Sequence, residues 1–283
     1  MLWEELTAES FPKSIKESNG VCILPVGVLE KHGNHLPLGT DMIIGQAVCK
    51  KSAEIEKSVV FPYYFMGQIA EARHSPGCIC ASHRLIMDAL LEMCDEIHRN
   101  GFNKIIIYSS HGGNLFFIPF FLQEMPRLNR LYNAYYYFLG NISKEQGQSL
   151  GEFVMTNNLL SQEQCKTLNK IMANDLHAGF IETSIMMYLR PELVDINIQD
   201  PKEGMSKKRL AEIRKNGIMT GFNWYAEYPY HFAGDHSFST PELGKIIFDG
   251  VCENLVNVIR AVKDDNESEK LISECNLAGE KPV

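Results

Sequence analysis

The chain has 283 residues, 45% of them hydrophobic, and a formal charge of −8. That is length enough for a large α/β domain with a sizeable core, and the composition excludes disorder as the main state. The acidic balance, with no Lys/Arg cluster, gives no general attraction to nucleic acid or anionic membranes, so a small-molecule partner is expected.

No apolar run is long enough to span a bilayer, and Met1-Leu2-Trp3-Glu4-Glu5-Leu6 lacks the basic region and apolar core of a signal peptide. Both features predict a cytoplasmic protein. The eight cysteines are then expected as reduced thiols, with Cys22, Cys94 and Cys252 as small core residues. Cys78-x-Cys80 lacks the second pair that a structural zinc finger needs.

A helix-like segment ending near Ser18-Asn19-Gly20 leads into the apolar run Val21 to Gly27, which reads as a strand buried on both faces. After Asp41, the stripe Ile43, Ile44, Ala47 and Val48 predicts a helix. The β-branched and aromatic stretch from Ser58 to Phe65 predicts a second strand. Ser82 reads as the N-cap of a helix carrying Ile86, Leu90, Met93 and Ile97, with Gly101 as its stop. Lys104 to Tyr108 is another buried strand, residues 115–130 a helix, and Asn133 to Leu139 a further strand. Alternating strands and helices imply parallel pairing, hence an α/β fold: a three-layer α/β/α sandwich with a mainly parallel central sheet. From Gly140 to Asp175 the sequence turns polar, with a short helix expected over Gln162 to Ala173, and residues 140–176 read as a surface excursion or a lid. His177 to Ser184 opens a helix with Ile181, Ile185 and Leu189 on one side, stopped by Pro191. Thr240-Pro241-Glu242 starts another, whose stripe of Ile247, Val251, Leu255, Val258 and Val262 should pack across the sheet. Residues 1–263 are therefore expected as a single domain and 264–283 as a frayed polar tail.

The chemistry-bearing residues gather where apolar runs stop. Glu30-x-His32 puts two metal-competent groups on the same side of an extended segment. Asp41 returns to them if the stretch from Gly33 to Gly39, with Pro37, loops back. The third strand ends on His111-Gly112-Gly113-Asn114, where the glycines let backbone approach a metal or substrate and Asn114 can hold the turn. In an open α/β sheet these strand ends face the ligand crevice. Glu30, His32, Asp41, His111 and Glu182 form a mixed N/O donor set that suits Zn, Mn or Fe(II) and contains no thiolate. Five donors exceed the needs of one tetrahedral ion; two divalent ions about 3.5–4 Å apart, bridged by a carboxylate such as Asp41, would use them all. Arg73, His74, Asn114, His231 and His236 are candidates for contacting a polar substrate. Trp224 and Tyr225 could wall a pocket or fill a subunit interface, and the interface is the reading we favour.

These motifs resemble the creatininase, or creatinine amidohydrolase, family. The matching residues are Pro25-Val26-Gly27-x-x-Glu30-x-His32-Gly33-x-His35-Leu36-Pro37-Leu38-Gly39-Thr40-Asp41, then His111-Gly112-Gly113-Asn114, then His177-Ala178-Gly179-x-x-Glu182-Thr183-Ser184. Weaker matches are Pro76-Gly77 and Gly234 to Gly244, so the likeness runs from about Val21 to the last core helix. The resemblance implies a three-layer fold, often assembled as a homohexamer, and a two-metal hydrolase centre. By position it makes Glu30, His32, Asp41 and His111 metal ligands with Asp41 the bridge, Glu182 a further ligand, and His177 the proton-transfer residue. Gly113 departs from the pattern: creatininase itself is expected to have an acidic ligand there. That points away from creatinine, and it leaves Glu182 to close the second metal site. The expected activity is attack by metal-activated water on the C–N bond of a small cyclic amide or formamide. The alternatives are C–C ring opening of a cyclic diketone such as an inositol or sugar derivative, and, from another class, a non-catalytic metal- or ligand-binding oligomer.

Overall fold

Val21–Val26, the apolar run that precedes Glu30, forms strand β1, and all of its residues are buried. The structure, a computed structural model, describes residues 1–140, 170–171 and 174–280. In it β1 is followed by helix α2 (Thr40–Ile55), β2 (Val59–Val60), α3 (His83–Arg99), β3 (Lys104–Ser109), α4 (Asn114–Leu128) and β4 (Asn133–Phe138); α1 (Phe11–Glu17) precedes it. Helices α5 (Phe180–Leu189), α6 (Ala211–Lys215), α7 (Asn223–Glu227), α8 (Pro241–Asp264) and α9 (Glu267–Glu280) complete the order. The expected lid and the helix over Gln162 to Ala173 fall almost wholly outside the described residues.

The four strands pair in the order β2-β1-β3-β4, all parallel, with Ile23 beside Ile106 and Ile106 beside Tyr135. Period-two alternation divides the strand side chains between two cores. Val21, Ile23, Val60, Ile106 and Tyr108 pack with helices α2, α5 and α8 on one face. Cys22, Leu24, Val26, Val59, Ile105 and Ile107 pack with α1, α3 and α4 on the other. That arrangement is the three-layer sandwich. It also fixes where a ligand can go: the chain leaves β1 through α2 to β2 on one side, then crosses through α3 to β3 on the other. The C-terminal ends of β1 and β3 therefore flank the topological switch point, where open α/β sheets bind ligands.

Local signals explain the main elements. Ser82 caps α3 by accepting from Leu85 N, and Thr240 caps α8 by accepting from Leu243 N. Two expectations need correction. The strand predicted over Ser58 to Phe65 is only Val59–Val60, because Pro62 has no N–H for the ladder. Phe61 N still donates to Ile23 O (2.8 Å) and Tyr64 N to Pro25 O (2.9 Å), so the chain stays extended beside β1. Tyr63 between them turns its hydroxyl to Ser110 Oγ, 3.4 Å away. The predicted frayed tail is instead helix α9, started by Asp265, whose Oδ1 accepts from Glu267 N (2.9 Å) and Ser268 N (3.1 Å). Tyr135 of the edge strand holds the other oxygen of that cap at 2.8 Å.

Helix α8 seats α5 against the scaffold at Gly244, where an added Cβ would lie 1.8 Å from the Ser184 carbonyl oxygen. Only glycine permits that backbone approach. Gly244→Ala is expected to destabilise the fold by about 3 kcal/mol, the upper end of overpacking costs. Gly250→Ala, on the same helix with nothing within 4 Å of its Cβ, should stabilise by about 0.4–1 kcal/mol. Urea unfolding of the two variants checks the contrast.

Candidate metal centre

Past Val26 the chain leaves the sheet and loops back, with Glu30 N donating to Leu38 O at 3.1 Å. The loop returns Asp41 to the first turn of α2, beside Glu30 and His32. The end of β3 brings His111 to the same point, and the first turn of α5 brings Glu182. Glu30, His32, Asp41 and His111 are buried. All five expected donors thus meet in one cluster, although they come from four separate stretches of chain.

In its geometry two imidazoles approach opposite oxygens of one carboxylate, Asp41. His111 Nδ1 lies 2.7 Å from Glu30 Oε1 and 3.2 Å from Asp41 Oδ2. His32 Nε2 lies 3.2 Å from Asp41 Oδ1 and 3.9 Å from Glu182 Oε1. Backbone carbonyls address the other nitrogen of each ring: His111 Nε2–H donates to Gln68 O (2.7 Å) and His32 Nδ1–H to Glu30 O (3.2 Å). Such outer bonds select the tautomer whose free lone pair points into the cluster, as metal-ligating histidines require.

Two observations show that the set fits divalent cations. Glu30 Oε1 and Asp41 Oδ2 are buried and make no hydrogen bond, despite the nearness of His111, so their lone pairs converge without sharing a proton along a good axis. The second is charge. Burial alone would keep both imidazoles neutral, yet the facing carboxylates prevail, lifting His111 well above its usual range and His32 to about 10. Burial pushes the Glu182 carboxyl up to about 7, against the pull of His32. Three clustered carboxylates, Glu30 and Asp41 buried and Glu182 partly so, need positive charge, and protons on imidazoles are what the metal-free protein can offer.

His177 stands beside this centre, its ring 4.4 Å from that of His32 and its Nε2 3.8 Å from Glu30 Oε2. A bridge to Ala233 fixes its backbone, and Nε2–H donates to Lys31 O at 2.9 Å, leaving Nδ1 unprotonated. Burial holds the imidazole neutral, with its pKa down at about 4. Asp175 organises the turn that follows, accepting from Phe180 N (2.9 Å) and Ile181 N (2.8 Å).

The candidates for substrate contact divide. Asn114 is buried and committed to the loop: Oδ1 accepts from Gln68 N (3.0 Å), and Nδ2 donates to Ser109 Oγ (3.1 Å). His236 is buried against His35 and Phe232 and directs Nε2 to Gln199 O at 3.2 Å. The Asn114 amide is thus spent on the loop, and His236 commits one ring nitrogen to backbone. His74 faces backbone carbonyls with both nitrogens, and Arg73 beside it is exposed. Trp224, half-buried, walls one side of the centre: its ring meets that of His177 edge-on at 5.9 Å. Tyr225, from the same helix, packs on His74 at 4.7 Å. Gln68, which orders His111 through its carbonyl, carried no recognisable signal in the sequence.

The structure also explains Gly113. A Cβ there would lie 2.4 Å from His111 Nε2 and 2.7 Å from Gln68 O and Gln68 Oε1. Gln68 thus occupies the space that an acidic side chain would need.

Fold and donor set together define a metal-dependent hydrolase of the three-layer α/β/α type. The chain belongs to the creatininase family: residues 4–259 match its sequence profile, creatinine amidohydrolase. It is similar to the creatinine amidohydrolase of Pseudomonas putida, with 27% identity over 199 residues, covering 68% of this chain and 73% of that one. Among solved structures, a manganese form of creatininase superimposes with a TM-score of 0.71 at 19% identity, covering 93% of this chain and 99% of that one. A candidate creatinine amidohydrolase from Bacteroides fragilis gives a TM-score of 0.70 at 23% identity, with 88% and 91% covered. At such identities the structural likeness speaks for the fold.

Gly113→Ala should push on the His111–Gln68 pair and lower metal affinity about ten-fold or more. Gly112→Ala, with open space around its Cβ, should leave affinity unchanged. Metal content after dialysis against graded chelator separates the two.

Proposed function

We propose that the protein hydrolyses a non-peptide C–N bond in a small polar molecule, a cyclic amide or formamide, using two divalent ions of Zn, Mn or Fe(II). Glu30, Asp41 and His111 would hold one ion, and His32, Asp41 and Glu182 the other. The observation that carries this reading is Asp41, whose two oxygens each lie 3.2 Å from a different imidazole nitrogen, as a bridging carboxylate requires. When bound, such a pair supplies Lewis-acid chemistry, acidifying a water near neutral pH and polarising a substrate carbonyl.

The protein's own residues handle the proton. His177, neutral and with Nδ1 free, takes a proton from the attacking water and returns it to the leaving nitrogen. Its bond to Lys31 O keeps the ring in the accepting tautomer. Trp224 closes one side of the site and reduces the access of bulk water. His177→Ala should retain metal yet lose turnover by about 10²–10⁴-fold, the usual worth of a general base. An unchanged rate would remove His177 from the mechanism.

Loading has its own signature. His32 and His111 carry raised pKa values in the metal-free protein, so a cation must displace protons that these rings hold at neutral pH. Mn²⁺ added to metal-free protein in weak buffer at about pH 7 should release about two protons per chain, and affinity should rise with pH. Uptake without proton release would contradict the donor assignment.

Gly113 favours a substrate other than creatinine, because Gln68 fills the space of the missing carboxylate. A screen of lactams, formamides and cyclic diketones with Zn, Mn or Fe(II) decides the bond type. Turnover of diketones alone would move the reading to C–C ring opening, and tight metal binding with no turnover would favour a non-catalytic oligomer. The family resemblance and exposed apolar side chains such as Phe116 and Phe120 support a homo-oligomer, possible stoichiometries including the hexamer. Analytical ultracentrifugation should then give a mass several times that of one chain.

A further inference from the structure

Glu30 engages a second side chain outside both donor sets. Its Oε2 lies 2.5 Å from His231 Nε2, a contact between buried residues 201 positions apart. The indole N–H of Trp224 donates to His231 Nδ1 at 3.0 Å. An indole nitrogen can only donate, so His231 Nδ1 must accept and Nε2 must carry the hydrogen. The proton in the short contact therefore belongs to His231, and Glu30 Oε2 receives it. That leaves Oε1, which faces His111, as the oxygen free for a cation.

The backbone of His231 acts on the same segment. Its carbonyl accepts from Gly33 N at 3.1 Å, and its own N–H donates to Tyr228 O at 3.0 Å. The residue takes φ +51°, in the left-handed region that few non-glycine residues occupy. Such strain persists where surrounding contacts over-determine it. One residue therefore grips the Glu30-x-His32-Gly33 segment at two points, by its ring at Glu30 and by its carbonyl at Gly33.

We propose that His231 is a positioning residue for Glu30, held in its donating tautomer by Trp224, and that this pair sets the affinity of the cation site formed by Glu30, Asp41 and His111. The proposal rests on the two-ion reading above. It assigns the Trp224 helix and the His231 turn a part in metal retention that neither donor set contains. The side-chain link itself reaches Glu30 and not the other donors: among the described residues His32 and Glu182 make no hydrogen bond or ion pair with the Trp224 indole or the His231 ring.

The test is a titration of metal-free protein with Mn²⁺, counting free ion by electron paramagnetic resonance. Trp224→Phe keeps an aromatic side chain but removes the indole N–H together with the five-membered ring that bears it; it should weaken one of two Mn²⁺ sites about ten-fold and leave the other unchanged. His231→Leu should weaken that same site by about 10–100-fold. His231→Gln, whose side-chain amide can replace the Nε2–H, should recover most of the loss. Circular dichroism and melting temperature check that each variant is folded, and Trp224→Phe decides the matter if His231→Leu does not fold. Wild-type affinity at both sites in Trp224→Phe, or equal losses at both sites in the folded variants, would overturn the positioning role while leaving the two-ion reading in place. A wild-type protein that takes up no Mn²⁺ would instead overturn that reading and this proposal with it.

Discussion

Three carboxylates share a space from which water is largely excluded, and the site's architecture answers to that fact. Glu30, Asp41 and Glu182 repel one another in a medium of low polarity, where charge interactions are far stronger than in water. The imidazoles of His32 and His111 lie between them, at 2.7–3.9 Å from the nearest oxygens. Two of the carboxylates also sit in first turns of helices, Asp41 on α2 and Glu182 on α5, where the positive end of the helix dipole favours negative charge. Glu182 takes a further hydrogen bond from Ala178 N at 2.5 Å. Each of these is partial compensation; a pair of divalent cations would complete it.

Strand order makes the cluster possible. With β1 and β3 adjacent and their crossovers on opposite faces, the polypeptide leaves a crevice at their C-terminal ends. Asp41 and Glu182 stand on first helical turns and His111 just past β3, while the loop carrying Glu30 and His32 is tied back by backbone bonds such as Glu30 N to Leu38 O at 3.1 Å. Such mounting holds a constellation more tightly than a flexible loop can. Ser110 adds a cross-tie, donating to the Asp41 carbonyl at 2.9 Å and so locking the start of α2 to the end of β3.

What could be read in the sequence was what local pattern determines. The runs at Val21 and Lys104 are apolar on both faces because each feeds two cores, and Ser82 and Thr240 announce their helices by capping. Glu30, His32, Asp41, His111 and Glu182 stood out because each follows abruptly on a core element or opens one. The errors have equally specific causes. Pro62 interrupts a stretch that hydropathy alone reads as strand. Helix α9 starts from the Asp265 cap, which the Tyr135 hydroxyl engages across 130 residues, a contact no window of sequence contains. Asn114 has the right chemistry for substrate contact, but its amide is engaged with Gln68 N and Ser109 Oγ. The link from Trp224 through His231 to Glu30 was equally invisible, since hydrogen-bond direction depends on which atoms meet in space.

The division of the centre along the chain has a consequence for assembly. Glu30, His32, Asp41 and His111 belong to the sheet and its crossovers, whereas His177, Glu182, Trp224 and His231 arrive with the second half of the polypeptide. A cation held jointly by His32 and Glu182 would act as a clasp between segments 150 positions apart in sequence, closing a long loop whose entropy the unfolded chain otherwise keeps. Occupancy and folded lifetime would then be two readings of one equilibrium, with the metal supply of its surroundings governing how long the protein endures as well as how fast it works.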